Sequence, residues 1–181
     1  QGHVKVINLL FARKEIQINQ ARNNGCTPLF AACQHGHMKV VNLLFARKDI
    51  QINLAMNEGA TSLYMACEHG RVKVVNVLLA RKEIQINQAT NDGVTPLYIA
   101  CREGHVKVVN ALLARKEIQI NQDDDGGATP LYAACQCDHV KVVNALLARK
   151  DIRINQAAKE GDTPLIVASY LGNAQVVKAL L

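Results

Sequence analysis

One pattern recurs along the chain at a step of 34 residues. Each copy holds a glycine, a variable residue and a threonine, and the threonines that mark the step are Thr27, Thr61, Thr95, Thr129 and Thr163. A fixed period of this length predicts a solenoid, in which each unit buries its apolar surface against its neighbours. We therefore expect one array over residues 1–181, with complete units at 21–54, 55–88, 89–122 and 123–156 and partial units at 1–20 and 157–181.

The interior of a unit predicts two short helices. Thr27 can cap the first helix through its hydroxyl, and Pro28 suits the first helical position because no needed N–H is lost there. Apolar residues then recur at spacings of three and four, and Gly36 can adopt the positive φ that ends a helix. We expect helices over 28–35 and 38–47, repeated at the same step in every unit.

A long loop follows the second helix of each unit. Arg47 and Lys48 are expected to complement the negative pole of that helix. Residues 50–53 alternate apolar and polar as an extended segment does, and residues 57–59 have the composition of a turn. Helices this short are marginal alone, so the stacking of neighbouring units must stabilise them.

These motifs resemble the ankyrin repeat. The resemblance rests on Thr-Pro-Leu, Ala-Ala or Ala-Cys, Gly-His, Val-Val-x-x-Leu-Leu and Ile-x-Ile-Asn, and it covers essentially the whole chain. It implies an all-α fold, an ankyrin-type helical solenoid of stacked helix-turn-helix units with hairpin-like loops. The tetratricopeptide repeat has a similar period, but it fits poorly because it needs longer helices and shorter loops and has no Thr-Pro-Leu cap.

The sequence departs from the usual ankyrin pattern in three ways. The period is one residue longer, with the extra residue in the Arg-Lys-Asp/Glu-Ile segment, and Ser62 replaces the proline of one unit. The histidine that usually follows Thr-Pro-Leu forms a hydrogen bond in that turn region, which must here be absent or replaced. The residues in its place are Phe30, Tyr64, Tyr98, Tyr132 and Ile166.

Six cysteines raise the question of disulfides or a metal site. Cys33, Cys67, Cys101 and Cys135 occupy equivalent positions, so stacking should hold neighbours about 8–10 Å apart. Disulfide Cα atoms are seldom more than about 7 Å apart, so this cysteine ladder is predicted to consist of free, small, buried residues.

Neither the spacing of the cysteines nor the acidic run of the chain matches a metal-binding motif. There is no Cys-x-x-Cys pair of the kind that holds zinc. The run at 123–125 lacks the alternating ligands and the downstream glutamate of a calcium loop. We therefore expect no catalytic residue, no metal and no cofactor.

The net charge of +6 is distributed unevenly. The second helices and the loops after them carry 16 of the 21 basic residues but only 5 of the 15 acids, so the remainder is net negative. The sequence thus predicts a basic outer side and an acidic inner side. The basic side is explained by helix-end complementarity and solubility.

No apolar run approaches the roughly 18 residues of a membrane span, and no leader is visible. We therefore expect no transmembrane segment. Reduced cysteines and the lack of a leader favour an intracellular location.

The repeats can be compared with one another to find a functional surface. Core positions barely change between units, whereas the residues around each Gly-x-Thr and at the end of each first helix do. In ankyrin-type proteins these positions form hairpin tips and a concave inner wall where partners bind; drift at exposed positions is the competing explanation. The candidate partner-binding residues are Asn23, Asn24, Gln34, His35, Asn57, Glu58, Tyr64, Glu68, His69, Asn91, Asp92, Tyr98, Arg102, Glu103, Asp125, Tyr132 and Gln136.

The sequence therefore predicts a monomeric, non-enzymatic module that binds a protein through hairpin tips and the concave inner-helix face. The partner itself is not identified, but it should present a polar or basic surface. Two alternatives stay open: binding of nucleic acid or an anionic surface through the basic outer side, and service as the targeting arm of a larger enzyme. Nucleic acid is disfavoured because interleaved aromatics and known motifs are lacking.

Overall fold

A computed structural model describes residues 15–181, so most of the partial unit predicted at 1–20 lies outside the described residues. Within 15–181 the chain forms ten α-helices and no strand beyond one isolated bridge, between Ala55 and Thr61. The predicted all-α repeat architecture is confirmed. The helices are α1 (Pro28–Gln34), α2 (Met38–Phe45), α3 (Ser62–Glu68), α4 (Val72–Leu79), α5 (Pro96–Arg102), α6 (Val106–Leu113), α7 (Pro130–Gln136), α8 (Val140–Leu147), α9 (Pro164–Tyr170) and α10 (Ala174–Leu180).

The odd-numbered helices, here called inner helices, begin at the predicted cap. The Oγ1 atom of Thr27 accepts a hydrogen bond from the N–H of Phe30 at 3.1 Å, and Thr95 accepts from Tyr98 at the same distance. The other three threonines make the equivalent bond. Because Thr27 and Thr95 are buried, this bond satisfies both a side-chain oxygen and an otherwise unpaired helix N–H. The cap therefore does not need the family's histidine.

The even-numbered helices, here called outer helices, pack against the inner helices around one core. Each inner helix from α1 to α7 contributes a leucine and a cysteine that are fully or almost fully buried, as predicted for the cysteine ladder. All six cysteines lie in the described part of the chain and are free thiols. The outer helices add buried valines, such as Val75 and Val109, to the same core. Removing this apolar area from water is the main stabilising contribution, at about 25 cal/mol per Å².

An asparagine in each loop joins neighbouring units. The side chain of Asn87 donates to the carbonyl oxygen of Glu117 at 2.8 Å and accepts from the N–H of Gln119 at 3.0 Å. Asn19, Asn53 and Asn121 make the same pair of bonds. Since both ends of the amide are used across the interface, these residues fix the register of one unit on the next.

Two of the arginines that follow outer helices bond to the helix of the preceding unit. The outer helices α2, α4, α6 and α8 have no basic residue in their last turn. Instead, Arg149 donates to the carbonyl oxygen of Leu113 at 2.6 Å, which is the end of the preceding unit's outer helix. Arg81 reaches Phe45 in the same way at 3.5 Å. In these two cases the negative pole that the arginine complements belongs to the neighbouring unit.

The helices of the described segment are seven or eight residues long. None of them is long and apolar enough to span a bilayer.

Candidate protein-binding surface

The loop before each inner helix forms a tight tip. In the tip at 22–26, the N–H of Arg22 donates to the carbonyl oxygen of Cys26 at 3.0 Å, and the N–H of Gly25 donates back to Arg22 at 2.8 Å. The tips at 56–60, 90–94, 124–128 and 158–162 repeat both bonds. This hairpin-like geometry exposes the two residues before each tip glycine.

Backbone and side-chain bonds connect neighbouring tips. The N–H of Asn57 donates to the carbonyl oxygen of Asn24 at 3.1 Å, and its side-chain Nδ2 donates to Asn23 at 3.1 Å. Asn91 repeats both bonds one unit later, at 3.0 Å to Glu58 and 2.9 Å to Asn57. These asparagines were predicted as partner-binding residues, and the structure also gives them a role in holding the tips together.

A groove of about 430 Å³ lies between the tips at 22–26, 56–60 and 90–94 and the inner helices α1, α3 and α5. The structure brings seven of the predicted residues together around it. These are Asn24, Gln34, Glu58, Tyr64, Glu68, Asp92 and Arg102.

The sequence reasoning missed several residues of the groove lining. They include Arg22, Phe30, Met56, Met65 and Thr90. A signal for them was present, because the position of Met65 is occupied by Ala31, Ile99, Ala133 and Val167 in the other units. Those residues are apolar, however, so the variation at this position does not by itself indicate an accessible surface. In the structure the side chain of Met65 is only half-buried and contributes to the floor of the groove.

The charges of the groove are mostly unpaired. Among residues 15–181, the structure shows no ion pair or side-chain hydrogen bond for the carboxylates of Glu58 and Asp92. Glu68 lies 3.5 Å from the ring of His69, and Arg102 lies 3.2 Å from Glu103. The groove therefore presents acidic groups whose charge is not neutralised by a neighbouring cation.

The charged residues of the groove affect the hydroxyl group of Tyr64. Burial raises the pKa of its hydroxyl, and the negative charge of Glu68 raises it further, while Arg102 acts in the opposite direction. The ring is half-buried and lines the groove.

The other two predicted tyrosines are placed differently. Tyr98 is only 6% exposed and packs against Ala128 and Ala133 of the next unit. Its pKa is raised by burial and by a hydrogen bond with Asp124. Tyr132 is half-buried beside the same small cluster. For Tyr98, packing between units leaves little ring surface for a partner.

The remaining predicted residues lie on the exposed ends of the inner helices and on the fourth tip. His35 stacks on His37 with ring centroids 5.7 Å apart, and the Nδ1 atom of His69 lies 3.1 Å from the carbonyl oxygen of Met65. Glu103, Gln136 and Asp125 are exposed. Apart from Tyr98, all the candidate residues are exposed or half-buried.

The predicted basic side contains exposed lysines and also arginines that form ion pairs with acids. Lys39, Lys73, Lys107 and Lys141 are exposed on the outer helices. The arginines that follow these helices are paired with an acid two residues further on. The pairs are Arg47–Asp49 at 2.7 Å, Arg81–Glu83 at 3.6 Å, Arg115–Glu117 at 3.0 Å and Arg149–Asp151 at 2.8 Å.

Comparison with known proteins agrees with this repeat architecture. A family model that describes three copies of the ankyrin repeat matches residues 1–90, 49–124, 82–158 and 121–181. Together these matches cover the whole chain. A search of curated proteins found no match. On the evidence of the family model, the chain belongs to the ankyrin repeat family.

Proposed function

We propose that this chain is a non-enzymatic module that binds a protein partner through its tips and the inner-helix face, which is concave in ankyrin-type stacks. Ankyrin repeats generally mediate interactions between proteins, and proteins built from them are typically not enzymes. The family therefore supports the general role. The choice of surface depends on the residues of this chain.

One observation carries the proposal: the variation between units coincides with the exposed groove. At the position of Glu58, the other units have Asn24, Asp92, Gly126 and Glu160. At the core position of Leu63 every unit has leucine, as Leu29, Leu97, Leu131 and Leu165. Variation by drift would be equally strong on exposed outer positions, yet the exposed outer-helix lysine is the same in four consecutive units.

The partner is proposed to present a polar or basic surface. Glu58 and Asp92 carry unpaired carboxylates at the tips, and Glu68, beside His69, adds a further acidic group from an inner helix. Charges of this kind guide the encounter of two proteins and select between partners more than they raise affinity. A partner with a complementary surface would associate faster at low salt.

Affinity capture with mass spectrometry, followed by kinetics with the purified partner, tests this proposal. Replacing Glu58, Asp92 and Asp125 by lysine should slow association about tenfold or more and reduce its dependence on salt. Replacing Lys39, Lys73 and Lys107 by glutamate is the matched control and should change association by less than about twofold.

The opposite result would support the alternative hypothesis that the basic outer side binds the ligand. If the lysine variant set abolished binding and the tip set had no effect, the basic outer side would be the binding surface, and nucleic acid or an anionic surface would be the ligand to test. The third reading, a targeting arm of a larger enzyme, is decided by the full-length sequence.

A further inference from the structure

The groove at the first three tips combines an apolar floor with acidic side chains. Met56, Met65 and Val94 are half-buried and line it. Methionine side chains are flexible and polarizable, so they adapt to apolar groups of different shape. The floor can therefore accommodate apolar side chains of different shapes.

The acids are positioned to receive a cation. Glu58 and Asp92 come from neighbouring tips and Glu68 from the inner helix between them, and all three line the same groove. Arg102 also lines the groove, but Glu103 already pairs with it at 3.2 Å. A basic side chain that enters would meet the unpaired carboxylates of Glu58 and Asp92, and Glu68, which lies 3.5 Å from the ring of His69, would add a third negative charge. Hydrogen bonds to charged groups are stronger than neutral ones.

The far end of the groove carries the opposite charge. Arg22, on the first of the three tips, has no side-chain ion pair or hydrogen bond within the described residues. The charge therefore changes sign along the stack, from positive at Arg22 to negative at Glu58 and Asp92.

We propose that this groove receives an extended segment of a partner protein in which a basic residue, bound by Glu58, Glu68 and Asp92, lies beside an apolar residue held on Met56 and Met65. The inference rests on the proposed function and adds the class of ligand. Three units at a helix spacing of about 10 Å span roughly 20 Å, which corresponds to about six extended residues.

The chain supplies its own conservative substitutions for a test. The position of Glu58 and Asp92 is asparagine in another unit, Asn24, and the position of Glu68 is glutamine in two others, Gln34 and Gln136. The triple variant Glu58→Asn, Glu68→Gln, Asp92→Asn therefore uses residues that the fold already accepts there. Glu160→Asn is the matched control, because Glu160 occupies the same tip position outside the groove.

Random peptides of about twelve residues, twice the length of the groove, are displayed on phage and selected on the full chain. Selected sequences are then synthesised, and their Kd is measured for the unaltered chain and both variants. We expect arginine or lysine next to an apolar residue, a Kd at least about tenfold weaker for the triple variant, and a change below about twofold for Glu160→Asn. Circular dichroism and the thermal midpoint show that the variants are folded.

Three results would overturn the inference. Selected peptides without a basic residue, binding to the triple variant as tight as to the unaltered chain, or a library that yields no binder would each exclude a basic-peptide groove. In each case capture of a folded partner through the tips would still support the proposed function. Conversely, partner binding that depends only on the outer lysines would reject the proposed function, whatever the peptides show.

Discussion

The Nε2 atom of His139 lies 2.9 Å from the carbonyl oxygen of Arg102, which ends the inner helix of the preceding unit. His105 makes the same contact with Glu68. The neighbouring glycine leaves space for this ring: a Cβ atom on Gly104 would lie 2.6 Å from Cε1 of His139. The glycine at the end of the inner helix thus serves the interface between units as well as its own turn.

Replacing Gly104 by alanine should therefore be more harmful than the same change at Gly172. Both residues have a positive φ, of +71° and +73°, but no atom lies within 4 Å of a Cβ built on Gly172. We expect Gly172→Ala to cost about 1–2 kcal/mol from backbone strain. Gly104→Ala should cost about 1–3 kcal/mol more because of overpacking against His139. Urea unfolding measures both losses, and equal losses would show that the ring moves aside at no cost.

The asparagine in each loop should stabilise the stack through its two bonds across the interface. Asn87→Ala removes the bonds to Glu117 and Gln119 and should cost about 1–2 kcal/mol. Asn155 is the matched control, since its exposed side chain has no hydrogen bond in the described part of the chain. Asn155→Ala should change the free energy of unfolding by less than about 0.5 kcal/mol. If both variants had a similar effect in urea unfolding, the proposed role of the asparagine bonds between units would be wrong.

The features that the sequence predicted well are local ones. The threonine cap joins residues three apart, and the glycine that ends an inner helix acts within one turn, so each leaves a short pattern in the sequence. The bonds of Asn87 and His139 join residues 30 to 37 positions apart. The recurrence of these residues was visible, but their partners depend on the register of stacking, which no local pattern contains.

The binding surface was predictable to a similar extent. Comparing the units identified positions such as Glu58 and Asp92, which the structure places around one groove. It also selected Tyr98, whose ring is buried between units, because a change of residue does not tell an exposed ring from a packed one. Met56 in the groove floor was missed because the comparison of units selected only the residues around each Gly-x-Thr and at the end of each first helix.

Asp138 offers a stabilising change. It is the one residue other than glycine with a positive φ in the described part of the chain, at 57°, and it stands where the other complete units have Gly36, Gly70 and Gly104. The left-handed conformation strains a residue with a Cβ atom, although aspartate tolerates it better than most. Asp138→Gly should raise stability by about 0.5–1 kcal/mol, and Asp138→Ala should lower it. Thermal unfolding of both variants tests this prediction. If Asp138→Gly were less stable than the unaltered chain, Asp138 would not be strained.

The buried thiols should make the fold sensitive to alkaline pH. Burial raises the pKa of the Cys33 thiol from 9.0 to about 12, and that of Cys135 to about 12 as well. Burial also raises the pKa values of Cys67 and Cys101. The folded protein thus holds these protons more tightly than the unfolded chain does. The stabilising effect is present in full below pH 9 and is lost progressively as the pH rises from 9 towards 12.

Replacing the four ladder cysteines by alanine isolates this contribution from the tyrosines and lysines that titrate in the same range. The variant should lose less stability than the unaltered chain between pH 9 and pH 12. At neutral pH each replacement should cost about 1 kcal/mol or less, since little volume is removed. Urea unfolding at several pH values gives the two curves. Burial also predicts thiol reactivity: alkylation in the folded state should reach exposed Cys137 first and the four ladder cysteines last, because their side chains are fully buried. Parallel stability curves, or rapid alkylation of Cys67 in the folded protein, would show that the ladder does not hold its protons as the burial requires.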